Sequence, residues 1–97
     1  MMVTLVREKP NGELSYFSMH NRQGNLFSPY TVTVVSGGSL RQGKERQLVF
    51  DSQKELDEKV RSLIKGHLSR GYRVLYSYFR ANDDALLQRD VRSAIVS

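Results

Sequence analysis

Residues 52–71, SQKELDEKVRSLIKGHLSRG, carry the strongest secondary-structure signal in this 97-residue chain. Ser52 followed three residues later by Glu55 is typical of a capping box at a helix start. Gly71 is typical of the left-handed residue that follows a helix end, so a helix from about Ser52 to Arg70 is predicted. Apolar residues at helical spacing predict that one face packs on a sheet. That face consists of Leu56, Val60, Leu63, Ile64 and Leu68.

Two short strand patterns open the chain. Residues 3–7 and 14–19 are separated by Pro10-Asn11-Gly12. Proline fixes one turn angle and Asn-Gly tolerates positive φ, so this stretch predicts a hairpin.

A second strand-loop-strand unit lies before the helix. Residues 30–35, YTVTVV, alternate Thr with Val at a period of two, and this β-branched pattern is typical of a strand. Residues 36–43 predict a Gly-rich loop, and residues 44–50 resume the extended pattern. A phosphate-binding P-loop requires Gly-Lys-Ser/Thr leading into a helix, whereas this loop leads into a strand.

The chain after the helix predicts one more strand and a second helix. Residues 72–79, YRVLYSYF, alternate so that Tyr72, Val74, Tyr76 and Tyr78 share one face, and both faces look partly covered, as in a central strand.

The tail carries a shorter apolar stripe, which predicts a helix that packs on the domain or docks on a partner. Its members are Leu87, Val91, Ala94 and Ile95. The predicted class is α+β: an antiparallel sheet of four or five strands, a long helix on one face and a short C-terminal helix. We expect one domain at residues 1–80, with residues 81–97 as its tail.

Composition argues against several classes of chemistry. The chain has no cysteine, so disulfides, thiolate metal sites and a cysteine nucleophile are excluded. His20 and His67 have no carboxylate at metal-ligand spacing, and no nucleophile elbow or paired acids mark an active site. We therefore expect a non-enzymatic protein with no cofactor. No signal peptide or membrane span is indicated, so no membrane partner is expected and the expected location is the cytoplasm.

Charge favours a polyanionic ligand. Fifteen Lys and Arg against ten Asp and Glu give a formal net charge of +5, which favours encounters with DNA or RNA. Basic residues after the Gly-rich loop suit phosphate contacts, and glycine permits close backbone approach. The alternative is that these charges belong to a solvated edge strand and discourage aggregation. The candidate nucleic-acid contacts are Arg41, Lys44, Arg46, Arg22, Arg73 and Gly37.

The aromatic residues follow strand periodicity, which is typical of core and cross-strand pairs. Tyr76 and Tyr78 are the exceptions, because they become a possible base-stacking surface if the tail helix leaves them exposed.

Residues 25–35, NLFSPYTVTVV, running into a Gly-rich turn resemble the bacterial WGR domains. In that family a Leu-Phe-Gly connector leads to an aromatic-rich strand, and the turn carries Trp-Gly-Arg. The likeness continues through Gly43, through residues 50–52, FDS, and through residues 70–72, RGY, so that it covers roughly residues 14–72.

The resemblance implies an antiparallel sheet with a helix on one face. In the poly(ADP-ribose) polymerases it implies binding of DNA ends through the signature Trp and Arg. Aligned on Gly37, those two positions fall on Ser36 and Gly38, so the two contacts do not carry over. What carries over is the basic surface beside the loop. The sequence thus predicts a small nucleic-acid-binding module, or alternatively a protein-interaction or homodimerisation module. The interface of that second kind of module would be Leu87, Val91 and Ile95.

Overall fold

A computed structural model describes residues 1–21, 30–38, 41–81 and 83–96 of the protein. Five strands form one antiparallel sheet in the order β4-β3-β2-β1-β5, with two helices. The predicted α+β class is therefore confirmed. The elements in chain order are β1 (Met2–Glu8), β2 (Leu14–His20), β3 (Thr31–Gly38), β4 (Arg41–Val49), α1 (Gln53–Ser69), β5 (Arg73–Tyr78) and α2 (Ala85–Val96).

The hairpin between β1 and β2 forms at the predicted turn. The Gly12 N–H donates to the Lys9 carbonyl at 2.9 Å, and Gly12 has a φ of 86°. The Asn11 side-chain oxygen accepts from the Glu13 N–H at 3.0 Å. Glycine is suited to this position because it adopts positive φ without steric cost.

Helix α1 begins as its sequence predicts. The Ser52 hydroxyl accepts from the Glu55 N–H at 3.2 Å, which caps one free backbone donor. The Glu55 carboxylate accepts from the Asp51 N–H at 3.2 Å, one residue earlier than in a standard capping box.

The helix also ends as predicted. Gly71 has a φ of 94°, the Gly71 N–H donates to the Leu68 carbonyl, and the Tyr72 N–H donates to the His67 carbonyl, both at 3.1 Å. This pair of bonds is a Schellman motif, which satisfies the last carbonyls of the helix and turns the chain into β5.

One core lies between a single face of the sheet and both helices. Helix α2 packs against α1 and β5. Because Leu87 and Val91 are buried in this core, the tail is part of the packed domain, while Ile95 is exposed. Over the described residues, neither helix combines the length and apolar character needed to cross a bilayer. The core residues are Met1, Val3, Leu5, Phe17, Met19, Val32, Val34, Leu56, Val60, Ile64, Leu87 and Val91.

The predicted Gly-rich loop is largely paired strand, which corrects the sequence interpretation. β3 continues to Gly38 and β4 starts at Arg41, so only residues 39–40 lie between the strands, outside the described residues. Tyr16 pairs with Gly37 on the adjacent strand, and a Cβ at Gly37 would lie 2.9 Å from the Tyr16 hydroxyl oxygen. The tyrosine thus covers the glycine backbone and compensates for its missing side chain.

Strand β5 differs from its prediction in two ways. Within the described residues it is an edge strand rather than a central one, since it pairs there only with β1. A bulge also interrupts the alternation, because Leu5 pairs with Val74 whereas Thr4 pairs with Tyr76. A bulge inserts one extra residue, here Leu75, and reverses the faces beyond it. Val74 therefore packs on the core, while Tyr76 lies on the opposite face.

Candidate nucleic-acid interface

Two of the predicted basic residues share one face of edge strand β4. Arg46 pairs with Val34, and Lys44 pairs with Ser36. Val34 is buried beneath the helices, so its partner Arg46 lies on the side of the sheet that carries α1. Lys44 is two residues away on β4 and therefore lies on the same side. Lys44 and Arg46 are both exposed, and about 7 Å of strand separates them. The two cations form one patch.

These two cations are not neutralised by the described part of the protein. The side-chain ion pairs there are Lys9–Glu13, Arg61–Asp84, Lys65–Asp90 and Arg89–Asp90. None of them includes Lys44 or Arg46. Glu45 pairs with Val35 and so lies on the opposite face of the strand. Both cations are therefore open to an anion approaching from the helix side.

The remaining predicted contacts near the loop have different outcomes. Arg41 begins β4, and its backbone pairs with Gly38, so it belongs to the same strand as Lys44 and Arg46. Arg22 lies outside the described residues. At Gly37 the space that a side chain would need is filled by the protein itself, not left for a ligand. A Cβ there would lie 2.9 Å from both the Tyr16 hydroxyl oxygen and the Gly43 Cα.

Arg73 is not brought together with the β4 cations. It pairs with Val6 in β5, at the other edge of the sheet. Four strand spacings separate the two edges, or about 19 Å. Val6 is adjacent in the strand to core residue Leu5, so Arg73 lies on the face away from α1. A single phosphate group therefore cannot contact Arg73 and Lys44 together.

A second cluster of polar and aromatic residues lies on that helix-free face. Tyr76 and Tyr78 pair with Thr4 and Met2 and are 52% and 54% exposed. The tail helix thus leaves both tyrosines accessible. An open cavity of about 430 Å³ beside them is lined by Met1, Met2, Tyr76, Tyr78 and Arg80. Sequence reasoning missed Arg80, although it follows Tyr78 by the same two-residue step that separates the tyrosines.

His67 has a structural role. Its ring stacks on Phe17 with centroids 3.8 Å apart and meets Tyr72 edge-on at 4.9 Å. Its Nδ1 lies 2.8 Å from the Leu63 carbonyl oxygen. The imidazole therefore joins α1 to the sheet and to β5.

Acidic residues gather where α1 meets the start of α2. Arg61 pairs with Asp84 at 2.9 Å, and the Gln53 amide donates to Asp57 at 2.9 Å. Burial raises the pKa of the Asp57 carboxyl, against the lowering effect of the Gln53 hydrogen bond, and nearby Asp84 adds to the rise.

The described residues contain no group of three or more His, Asp or Glu arranged to hold a metal ion.

Comparisons with protein-family models, with curated proteins and with solved structures found no match to this chain. The resemblance to WGR domains therefore depends on the sequence positions described above.

Proposed function

We propose that this domain binds nucleic acid and contacts phosphates through the edge of β4. The observation that carries the proposal is that Lys44 and Arg46 lie on one face of β4, exposed and without an ion-pair partner among the described residues. Arg41 on the same strand is the third proposed contact. The location we propose is the cytoplasm.

Phosphate contacts of this kind give a predictable type of binding. They are electrostatic and read no sequence, because they neutralise backbone charge and release counterions. Each contact on duplex DNA adds about 0.9 to the slope of log affinity against log salt. With two or three contacts, we expect weak binding with a slope of about −2 to −3.

The test is a titration of the full chain with a short fluorescent DNA duplex, monitored by anisotropy between about 50 mM and 200 mM salt. The informative variant is Lys44→Gln with Arg46→Gln. The matched control is Arg89→Gln with Arg92→Gln, which removes the same charge from exposed positions on α2, beside the other sheet edge.

We expect the β4 variant to reduce the salt slope by about 1.8 and to weaken binding at low salt, because it removes two contacts of about 0.9 each. The α2 control should stay close to the original protein. Absence of binding by the original protein at low salt contradicts the proposal. Equal losses in the two variants also contradict it, because they mean that only net charge matters.

A protein-interaction function is the second candidate. The observation that favours it is the set of exposed apolar side chains on β5 and α2, which includes Leu75 at 69% and Ile95 at 56% exposure. Leu87 and Val91 are buried, so Ile95 is the exposed member of the predicted tail interface. Light scattering over a range of protein concentrations tests homodimerisation, and the variant Ile95→Lys should abolish any dimer that uses this surface.

A further inference from the structure

We infer that Arg73, Tyr76, Tyr78 and Arg80 form a second site, which takes unpaired bases of a single-stranded nucleic acid. The inference rests on the proposed nucleic-acid-binding function. It adds that the ligand is single-stranded and that it binds at β5, away from the phosphate contacts on β4.

The bulge at Leu75 creates this surface. Thr4 pairs with Tyr76, and the Thr4 hydroxyl lies 3.0 Å from the Ser18 hydroxyl on the neighbouring strand. Thr4 alternates with the core residues Val3 and Leu5, so this face of the sheet is the one without helices. Without the bulge, the tyrosines would follow Val74 into the core.

The four residues are arranged as one row along β5. Arg73 pairs with Val6, Tyr76 with Thr4 and Tyr78 with Met2, and these β1 residues are successive members of one face. Arg80 follows at the next two-residue step and lines the cavity beside both tyrosines. Tyr76 and Tyr78 therefore lie between Arg73 and Arg80 along this stretch of the chain.

The tyrosine rings are not used in aromatic pairs within the described part of the chain. The ring contacts there join His67 to Phe17 and to Tyr72. The cross-strand partners of Tyr76 and Tyr78 are Thr4 and Met2, which have no ring. An accessible ring face beside a groove is what an unpaired base stacks on.

The spacing of the two tyrosines favours a single-stranded nucleic acid over a duplex. Residues two apart on a strand lie about 6.7 Å apart, which is about twice the 3.4 Å separation of stacked bases. Neighbouring bases in a duplex cannot reach both rings, because they stay stacked and paired. An extended single strand presents splayed bases at wider spacing.

Charge at this row suits a phosphate backbone. Arg73 and Arg80 are exposed, and neither has an ion-pair partner among the described residues. The Asp83 carboxylate accepts from the backbone N–H of Arg80 at 2.6 Å, which holds the chain at the end of the row. The adjoining β1 side chains, Thr4 and Met2, are uncharged. A cavity of about 430 Å³ is within the range of about 300–1,000 Å³ typical of ligand sites.

The experiment uses the full chain and single-stranded oligothymidylate, with anisotropy and intrinsic tyrosine fluorescence as readouts. The chain has five tyrosines and no tryptophan, so base stacking on tyrosine is observable as quenching. The test variant is Tyr76→Leu with Tyr78→Leu, and the rescue variant is Tyr76→Phe with Tyr78→Phe. The control is Leu75→Ala, which trims the most exposed apolar neighbour in the same strand. Thermal melts confirm that each variant is folded.

Stacking is worth about 1–3 kcal/mol per base, so the leucine variant should bind the single strand at least about 30-fold more weakly. The phenylalanine variant and Leu75→Ala should bind like the original protein. Duplex binding should be unchanged in the leucine variant, because its contacts are on β4.

Three results overturn the inference. If the leucine variant retains single-strand affinity, the tyrosines are not the site, and loss of duplex binding in the Lys44/Arg46 variant still supports the proposed function. If Leu75→Ala weakens binding as much as the leucine variant and phenylalanine does not rescue it, the face is an apolar docking surface of the kind an extended peptide uses. If the original protein binds neither oligonucleotide, both proposals fail together.

Discussion

The two edges of the sheet differ in how they avoid pairing with other chains. An exposed edge strand presents free backbone donors and acceptors, and charged side chains are one common protection. β4 uses this protection, with Lys44, Glu45 and Arg46 exposed in succession. The middle of β5, from Val74 to Tyr78, carries no charge at all.

β5 is instead protected from pairing with other chains by its tertiary packing. Helix α2 packs beside it, and the bulge at Leu75 disrupts the regular ladder that an added strand would extend. The same problem is thus solved by side-chain charge at one edge and by packing at the other. This difference leaves β5 free to keep aromatic residues on its surface.

The largest expected effect is the loss of α2 packing. Leu87→Ala should lower the free energy of unfolding by about 2–5 kcal/mol, because Leu87 is 3% exposed and its removal leaves a cavity in the core. Urea denaturation measures the change. The control is the adjacent Leu86→Ala, since Leu86 is 46% exposed and its truncation should cost about 0.5 kcal/mol or less. Equal effects at the two positions would mean that α2 is not packed on the domain.

The second prediction concerns the glycines that let β4 lie against β3. Gly43→Ala should destabilise the protein by up to about 1 kcal/mol, because the new Cβ would displace the end of the Tyr16 side chain from the glycine backbone. Gly66→Ala in α1 is the control with the opposite sign. Its nearest neighbour would be 3.9 Å away, so helix propensity should stabilise it by up to about 1 kcal/mol. If Tyr16→Ala fails to relieve the cost of Gly43→Ala, the proposed displacement of Tyr16 is wrong.

The sequence predicted α1 well because both of its ends are local signals. Ser52 and Gly71 act through hydrogen bonds to residues three to five positions away, so neighbouring residues contain the information. The bulge at Leu75 has no such signal, because it is defined by the partner strand. The period-two pattern therefore groups Tyr76 with Val74, whereas the two residues lie on opposite faces of the sheet.

The contrast between local signals and partner strands also explains which parts of the candidate site could be predicted from the sequence. Lys44 and Arg46 share a face by strand alternation alone, which the sequence shows. The separation of Arg73 from them depends on strand order, since β5 joins the sheet beside β1 rather than β4. Gly37 is typical of a loop in sequence because glycine is common in turns, whereas in the structure Tyr16 covers it from the neighbouring strand.

The smallest expected effect lies at the junction that holds α2 beside α1. Burial raises the pKa of Asp57 above its usual value of 3.8, so the folded state holds the proton more tightly than the unfolded state. The ionised carboxyl therefore costs stability, and that cost grows as pH rises from about 3.8 through the raised pKa. Asp57→Asn keeps the oxygen that accepts from Gln53 and should raise stability at neutral pH by about 0.5 kcal/mol or less.

Urea denaturation at neutral pH and near pH 3 measures this dependence. The gain of Asp57→Asn should vanish at the lower pH, because the carboxyl is then protonated in both the folded and the unfolded state. Glu58→Gln, at an exposed position on the same helix, removes the same charge and controls for net charge and for the helix dipole. A gain that persists near pH 3, or one that Glu58→Gln reproduces, would show that burial of the Asp57 carboxyl is not its cause. The packing of α2 beside β5 would then not depend on the protonation state of Asp57.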